Sequence, residues 1–333
     1  MLSSPLFRSV SRSLSRAALA AAALLSAASP ALAAEKLAEL RIDYATYNPL
    51  SLVLKSKGWL EEDLKKDGTS VRWVQSLGSN KALEFLNAGS LDLGSTAGAA
   101  ALLGKIGGNP INSVYVYSKP EWTALVARGD SPIKAIEDLK GKRIAVTRGT
   151  DPHIFLMRAL ASKGLTDKDV KLVLLQHQDG RLALEKGDVD AWAGLDPLMA
   201  QAELELGARL FYRDAAANTW GVLNAREEFA REHPGTVARV IAAYERARDW
   251  AKANPAELRS ILAAAARLPE NVAARQLERT DLASGAIGAP QTETIVAAGL
   301  ALQQQGVIAP EIDVKATTAA LIDDSFVRQA GLR

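Results

Sequence analysis

Turns rich in glycine and small polar residues separate strand-like from helix-like segments at several points of the chain. The backbone N–H groups at the start of a helix have no partner within the helix, so such turns can hold an anion without a charged side chain. In open α/β sheets, ligands bind beyond the carboxyl ends of the strands, where these turns are expected. The turns are Thr46–Pro49, Leu77–Asn80, Gly94–Ala99 and Arg148–His153.

Side chains within these turns add further donors to the predicted anion site. Asn48 stands where it would cap the helix that begins at Pro49. Ser79, Ser95 and Thr96 would contribute hydroxyl groups, and the small neighbours of Ser95 would let a ligand approach the backbone. The predicted chemistry is therefore the capture of a negatively charged group by uncharged hydrogen-bond donors.

Three other residues each have two interpretations. Arg148, in an exposed turn, would either pair with an anion through two parallel hydrogen bonds or face water. Trp192 ends a strand and would either wall a pocket for an apolar ligand tail or pack in the core. Asp196 begins a helix and is either a helix cap or a ligand contact. The sequence leaves these alternatives open.

The sequence lacks the patterns of the common catalytic sites. Walker A, Rossmann glycine, serine-hydrolase and zinc-protease motifs are all missing. The absence of cysteine excludes disulfides, thiolate metal sites and cysteine nucleophiles. His153, His177 and His233 are scattered, and carboxylate pairs such as Asp188 and Asp190 fit solvated turns. We therefore predict a protein that is not an enzyme, with no catalytic residue, no metal site and no cofactor.

Length and charge restrict the class of protein further. The chain has 333 residues, of which 48% are hydrophobic, which is enough for one or two globular domains. Lys and Arg number 40 against 38 Asp and Glu, and three of the arginines fall in an N-terminal segment that is expected to be removed. The mature chain would be close to neutral, so sequence-independent binding to nucleic acid is not expected.

The first 33 residues have the pattern of a secretory signal peptide. Arg8, Arg12 and Arg16 precede an apolar run rich in Ala and Leu, and Ala31–Ala33 supplies the small residues that signal peptidase requires. No cysteine follows for a lipid anchor. The sequence predicts a chain that is exported to the periplasm, cleaved after Ala33 and free of a lipid anchor.

Strand-like and helix-like segments alternate over most of the mature chain. The strand-like runs are Leu40–Ala45, Val71–Gln75, Leu91–Ser95, Val114–Ser118, Ala124–Arg128, Arg143–Thr147, Lys171–Gln176, Asp190–Gly194 and Arg209–Tyr212. The helix-like segments are Leu50–Lys57, Lys81–Asn87, Ala97–Lys105, Pro152–Lys163, Arg181–Lys186, Pro197–Leu206 and Pro234–Asn254. Such alternation predicts an α/β fold with open, mostly parallel sheets flanked by helices.

The β/α units divide into two groups, which predicts two lobes with a cleft between them. Lobe I would comprise residues 34–125 plus 215–333, and lobe II residues 126–214. Trp122–Arg128 and Arg209–Leu223 would be the segments that cross between the lobes, and helices would dominate after Asn224.

Several stretches of the mature chain resemble the periplasmic aliphatic-sulfonate-binding proteins of ABC importers. These proteins are a branch of the nitrate/sulfonate/taurine-binding family, which has the type II periplasmic-binding-protein fold. The resembling stretches are ALEFLNAGSLDLGSTAGAA (Ala82–Ala100), DSPIKAIEDLKGKRIAVTRGTDPHIFLMRAL (Asp130–Leu160), LEKGDVDAWAGLDPLMAQAELELGAR (Leu184–Arg209) and EFAREHPGTV (Glu228–Val237).

The resemblance implies a ligand, a set of contacts and a partner. It points to a sulfonate held by Tyr47, Asn48, Ser95, Thr96, Gly149, Thr150, His153 and Asp196. It also implies a monomer that delivers its ligand to a permease in the inner membrane, driven by a cytoplasmic ATPase. The first turn lacks a glutamine that many relatives have, so taurine, nitrate, a sulfate ester and a thiamine precursor stay open as ligands. An exported enzyme and a sensory module stay open as function classes.

Overall fold

The computed structural model describes residues 37–332, so the predicted signal peptide lies outside the described residues. Two β-sheets are flanked by helices, which confirms the predicted two-lobed α/β architecture. None of the helices in this part of the chain is both long enough and apolar enough to cross a membrane.

The first sheet belongs to the first lobe and is parallel at one end and antiparallel at the other. Its strands are β1 (Glu39–Tyr44), β2 (Ser70–Gln75), β3 (Leu93–Ala97), β4 (Ile111–Pro120), β10 (Gly221–Arg226) and β11 (Thr280–Asp281). Their order is β11-β4-β10-β3-β1-β2. Strands β2 and β3 run parallel to β1, whereas β10 pairs antiparallel with both β3 and β4.

The second sheet has the same mixed construction. Its strands are β5 (Leu125–Ala127), β6 (Arg143–Val146), β7 (Lys171–Leu174), β8 (Ala191–Ala193) and β9 (Arg209–Tyr212), in the order β7-β6-β8-β5-β9. Strands β7 and β8 run parallel to β6, and β5 pairs antiparallel with β8 and β9. The prediction of mostly parallel sheets is thus corrected, because the strands next to the lobe crossings enter both sheets in the opposite direction.

Helices cover both sheets and form most of the C-terminal third. In the first lobe they are α1 (Pro49–Lys57), α2 (Trp59–Lys65), α3 (Ser79–Asn87) and α4 (Gly98–Ile106). In the second lobe they are α5 (Asp151–Ala161), α6 (His177–Lys186) and α7 (Leu198–Leu206). The C-terminal helices are α8 (Glu227–Glu232), α9 (Pro234–Ala253), α10 (Pro255–Ala266), α11 (Glu270–Leu277), α12 (Ala289–Gln304), α13 (Val314–Leu321) and α14 (Ser325–Gln329).

Local sequence signals explain where several helices begin and end. The side chain of Asn48 accepts a hydrogen bond from the Ser51 amide at 3.2 Å, Pro49 occupies the first turn of α1, and Gly58 ends the helix in the left-handed conformation. In α9 one face is buried, including Val237, Ile241 and Tyr244. Helices α9 and α10 both pack against α1 of the first lobe.

Two strands were not predicted, the short edge strand β11 and the longer strand β10. The segment Gly221–Arg226, expected to be part of a lobe crossing followed by helix, is β10 in the middle of the first sheet. It is buried on both faces, so it lacks the alternation that marks a half-exposed strand. Gly221 and Asn224 also disfavour a strand locally, so that its pairing with β3 and β4 decides its conformation.

Candidate functional site

A small cavity lies where the starts of two helices from different lobes face each other. Its volume is about 10 Å³, which is room for about one water molecule. The lining residues are Tyr47, Ser79, Trp122, Thr150, Asp151, Pro152 and Leu195. Tyr47, Ser79 and Thr150 are among the sequence-predicted site residues, and the structure brings them together here. We refer to this space as the head-group cavity.

Backbone amides without a partner lie at the two helix starts that line the head-group cavity. The amides of Ser79 and Asn80 at the start of α3 have no hydrogen-bond partner among the described residues. The same holds for the amides of Thr150 and Asp151 at the start of α5. Both helix N-termini also carry a partial positive charge, which favours an anion by about 0.3–1 kcal/mol each when exposed and up to about 2 kcal/mol when partly buried.

The two lobes approach closely beside this cavity. A Cβ atom placed on Gly149, in the turn before α5, would lie 3.9 Å from the Cβ of Asn80 at the start of α3. Gly149 has a positive φ of 77°, which favours glycine at this point of the turn. A sulfonate group is larger than one water molecule, so its entry requires the lobes to separate here.

Asp151 connects the second lobe to both segments that cross between the lobes. Its Oδ2 accepts hydrogen bonds from Trp122 Nε1 at 2.8 Å and from the Thr219 amide at 3.0 Å. Its Oδ1 accepts a hydrogen bond from the Thr219 hydroxyl at 2.7 Å. Burial raises the pKa of Asp151. Both oxygens of this carboxylate are therefore paired within the protein.

Asn48 and Ser95 were expected to contact the ligand, but the structure places them in a buried network of the first lobe. Asn48 Nδ2 donates to Ser95 Oγ at 2.7 Å and to the hydroxyl of Tyr244 at 3.2 Å. Ser95 Oγ in turn donates to the Asp43 carboxylate at 2.8 Å. Their polar atoms are therefore already paired, so we correct their role from ligand donors to supports of the turn that carries Tyr47, whose hydroxyl donates to the Ser95 carbonyl at 3.1 Å.

Thr96 requires the same correction. Its hydroxyl donates to the Ala97 carbonyl at 3.0 Å and accepts a hydrogen bond from Asn224 Nδ2 at 2.8 Å. Asn224 belongs to β10, one of the two strands that were not predicted. The side chain of Thr96 thus joins two neighbouring strands inside the sheet instead of pointing into the cleft.

Trp192, His153 and Arg148 do not line the head-group cavity. Trp192 is fully buried in the core of the second lobe, where a Cβ on Gly180 of α6 would lie 2.8 Å from its Nε1. We therefore correct its predicted role as a pocket wall. His153 is buried in the first turn of α5, where burial lowers its pKa to about 4, and Arg148 is exposed to solvent.

A larger groove adjoins the head-group cavity, with which it shares Tyr47 and Leu195. Its volume is about 450 Å³. The other lining residues are Tyr44, Thr46, Gln75, Leu77, Gln176, His177, Gln178, Asp196, Pro197, Leu198, Ala265, Ala266, Arg267 and Leu268. They come from both lobes and from the end of α10. We call this space the tail groove, because its size and mixed polarity suit the organic part of a ligand.

Asp196 lines the tail groove and belongs to a charged cluster. Its Oδ1 accepts hydrogen bonds from the Ala200 amide at 2.9 Å and from Arg279 Nη2 at 3.0 Å, and Arg279 Nη1 also contacts Glu203 at 2.7 Å. Burial raises the pKa of Asp196 to about 7, and the charge of Arg279 opposes that rise. Asp196 thus accepts a hydrogen bond from an amide in the first turn of α7 and also lines the groove, and its contact with a ligand stays a prediction.

The buried carboxyl of Asp43 predicts a pH-dependent stability. Burial raises its pKa from 3.8 to about 6, against the hydrogen bonds from Ser95. The Asp43 carboxyl thus binds a proton more tightly in the folded protein than in the unfolded chain. Its protonation therefore stabilises the fold by the largest amount below pH 4, and this contribution is lost as pH rises through 6. The shift corresponds to about 3 kcal/mol.

Urea unfolding of the wild type and of Asp43→Asn between pH 4 and pH 7 tests this prediction. The Asn variant keeps an oxygen for Ser95 but does not titrate, so we expect its stability relative to the wild type to rise over this range. Other titrating groups are common to both proteins and cancel in the difference. A difference that stays constant with pH would contradict the prediction.

Sequence reasoning missed several residues of the site. His177 follows β7 at the start of α6, so the rule that located the other turns would also have located it. Asp151 stood inside a recognised turn, but nothing local showed that it joins both crossings. Arg279 is distant in sequence from Asp196, and no local pattern predicts their contact.

Among residues 37–332, no group of three or more His, Asp or Glu side chains is placed to hold a metal ion.

Comparisons with known proteins agree with this architecture. The profile of the NMT1/THI5-like family matches residues 50–258. A protein of Escherichia coli (strain K12) that is named for binding aliphatic sulfonates is 32% identical over 263 residues, which cover 78% of this chain and 82% of the relative.

Two solved structures of binding proteins are similar as well. The alkanesulfonate-binding protein from Xanthomonas axonopodis pv. citri, bound to MOPS, has a TM-score of 0.79 and 26% identity, covering 86% of this chain and 99% of its own. The periplasmic aliphatic sulphonate binding protein from Escherichia coli has a TM-score of 0.71 and 27% identity, covering 84% and 91%. These relatives share both the fold and a named class of ligand with one another.

Proposed function

The chain belongs to the NMT1/THI5-like family, and on that premise we propose that it is a solute-binding protein that captures a small organic anion, an aliphatic sulfonate, and delivers it to an ABC importer. The observation that carries this proposal is the pair of facing helix starts, at Ser79 and Thr150, which line the head-group cavity and carry amides without a partner among the described residues. The named ligands of the relatives support the choice of a sulfonate.

The site can bind an anion at useful affinity only if both lobes contribute. Micromolar affinity requires about −8 kcal/mol, whereas one exposed helix N-terminus supplies about 1 kcal/mol at most. Donors from α3 and α5 act together only in a closed form, where water is excluded and each hydrogen bond is stronger. The ligand therefore favours closure, since it binds the closed form better than the open one.

We propose that the lobes, residues 34–125 plus 215–333 and residues 126–214, rotate about the two crossing segments. Asp151 accepts hydrogen bonds from Trp122 in one crossing and from Thr219 in the other, so one residue of the second lobe holds both hinge segments.

The closed protein, a monomer, would then dock on a permease in the inner membrane whose cytoplasmic ATPase drives import. The periplasmic relative from Escherichia coli supports export of this chain, and we propose that residues 1–33 are removed on export.

Thermal and calorimetric titration with a panel of anions tests the ligand class. We expect alkanesulfonates, with taurine as an amino-substituted member of the set, to stabilise the purified mature protein, and nitrate, a sulfate ester and a thiamine precursor are the competitors. A ligand present at about 100 times its Kd adds about 2.7 kcal/mol to the free energy of unfolding. Binding of a competitor in place of every sulfonate would change the ligand, and no response to any anion would reject the proposal.

Turnover is the outcome that separates a binding protein from an enzyme. Asp151 and His153 lie near each other in sequence, yet both oxygens of Asp151 bind Trp122 and Thr219, and His153 Nδ1 has no partner among the described residues. They therefore do not form an acid–base pair. We expect the ligand to be recovered unchanged after prolonged incubation, as judged by NMR, and any product that disappears in His153→Ala would favour an enzyme.

A further inference from the structure

We propose that His177 determines specificity for the ligand tail, by accepting a hydrogen bond at Nε2 from an ammonium or hydroxyl group of the ligand. This inference rests on the proposed function, because it concerns the same site. The protein would then prefer sulfonates whose tail ends in a hydrogen-bond donor over sulfonates with a purely aliphatic tail of the same length.

The hydrogen bonds around His177 determine which ring nitrogen carries the proton. Thr147 Oγ1 donates its one proton to the Leu175 carbonyl at 2.7 Å. The same oxygen lies 3.2 Å from His177 Nδ1, so it can only accept a hydrogen bond there. Nδ1 therefore carries the proton of the neutral ring, and Nε2 presents a free lone pair.

Nε2 lies at the contact between the two lobes, beside the tail groove. His177 lines the tail groove, and a Cβ placed on Gly78 of the first lobe would lie 3.0 Å from this nitrogen. The residue is only 3% exposed, and Nε2 has no hydrogen-bond partner among the described residues. Two neighbours in the groove wall, Gln176 and Asp196, each also bury an acceptor oxygen without a partner. This side of the tail groove thus carries hydrogen-bond acceptors without partners, which a donor on the ligand would satisfy.

A direct contact between His177 and the sulfonate oxygens does not fit these observations. Burial lowers the pKa of His177 to about 3, and its position at the start of α6 places it next to the positive end of a helix, which further disfavours a cation. A neutral ring whose free nitrogen is an acceptor repels an oxygen that carries only lone pairs. The head group therefore belongs at the amides of α3 and α5, and the donor belongs on the tail.

Isothermal titration with tails of equal size measures the preference. Taurine, isethionate and propanesulfonate differ only in whether the tail ends in an ammonium, hydroxyl or methyl group, and homotaurine and butanesulfonate form a longer pair. We expect the donor-bearing member to bind about 3- to 10-fold more tightly than its aliphatic counterpart in at least one of these sets, the range of one net hydrogen bond.

Variants assign the preference to His177. In His177→Phe the ratio between donor-bearing and aliphatic ligands should fall to about one, while His177→Gln, which retains an acceptor oxygen, should keep part of it. The matched control is His153→Phe, since His153 is another buried neutral histidine of the second lobe but does not line either space. That control should leave the ratio unchanged.

Each outcome is decisive. If no sulfonate binds to the wild type, the proposed function itself fails. If sulfonates bind but donor-bearing and aliphatic tails bind equally, the proposed function stands and this inference is overturned. A preference that survives in His177→Phe, or an equal loss of affinity for all ligands in that variant, also overturns it, because His177 would then act on the head group or on folding alone.

Discussion

A disulfide between Asn80→Cys and Gly149→Cys is expected to abolish ligand uptake in the oxidised protein and to restore it on reduction. The Cβ of Asn80 lies 3.9 Å from the position that a Cβ on Gly149 would occupy. This separation falls within the range of about 3.5–4.5 Å found in disulfides. The bond would hold the starts of α3 and α5 together across the head-group cavity, whose volume of about 10 Å³ admits no sulfonate.

The chain suits this experiment because its native sequence contains no cysteine. Calorimetric titration of the double variant before and after reduction compares locked and free lobes in one protein. Each single cysteine variant, treated with the same oxidant, is the matched control, and its binding should not change on reduction. Cysteine at position 149 is strained because φ is positive there, at a cost of about 1–2 kcal/mol, and Gly149→Cys alone reports that cost.

Two results would contradict the expectation. A disulfide that fails to form would mean that the lobes do not approach at Asn80 and Gly149 in solution. Normal binding by the oxidised protein would mean that the ligand enters without separation of these helix starts, which would move the anion site away from the head-group cavity.

Asp151→Ala is expected to lower the free energy of unfolding by about 3–5 kcal/mol, the largest stability effect anticipated for a single substitution here, because it leaves three buried donors unpaired. The change removes an acceptor for Trp122 Nε1 and for the amide and hydroxyl of Thr219, all of which are buried. Each buried donor left unpaired costs about 1–3 kcal/mol. Both lobe crossings would lose their anchor on α5, so weaker ligand binding should accompany the lower stability.

Urea unfolding measures this effect, and two variants calibrate it. Asp151→Asn keeps one oxygen for Trp122 and the Thr219 amide, while the Thr219 hydroxyl can turn to accept from the new amide group, so its loss should be smaller. Asp188→Ala removes an exposed carboxylate from the same lobe and should change stability by no more than about 0.5 kcal/mol. If Asp151→Ala were as mild as Asp188→Ala, the proposed anchor would have no energetic basis.

Features that depend on neighbouring residues could be predicted from the sequence alone. Helix α1 was predicted because Asn48, Pro49 and Gly58 are, respectively, a cap, a first-turn residue and a left-handed stop. The apolar spacing of α9 likewise predicted its buried face. The positions of the turns followed from the same local signals, and with them the idea that helix starts would surround the site.

The tertiary structure determined which groups each polar side chain of a turn contacts. Nothing local distinguishes Ser79, which lines the head-group cavity, from Ser95, whose hydroxyl is used by Asp43 and Asn48. The difference depends on which polar groups the packed sheet brings nearby. A hydroxyl inside a fold must pair with them, because an unpaired buried polar group is costly.

The same reasoning applies to the longest-range features of the molecule. Strand β10 pairs with both β3 and β4, although its Gly221 and Asn224 do not favour a strand locally. The contact between Arg279 and Asp196 joins segments that are far apart along the chain. The sequence by itself determined the elements and the kind of site, since these arise from interactions between near neighbours. The choice of atoms that face the ligand required the lobes to be assembled, because burial and pairing exist only in the folded protein.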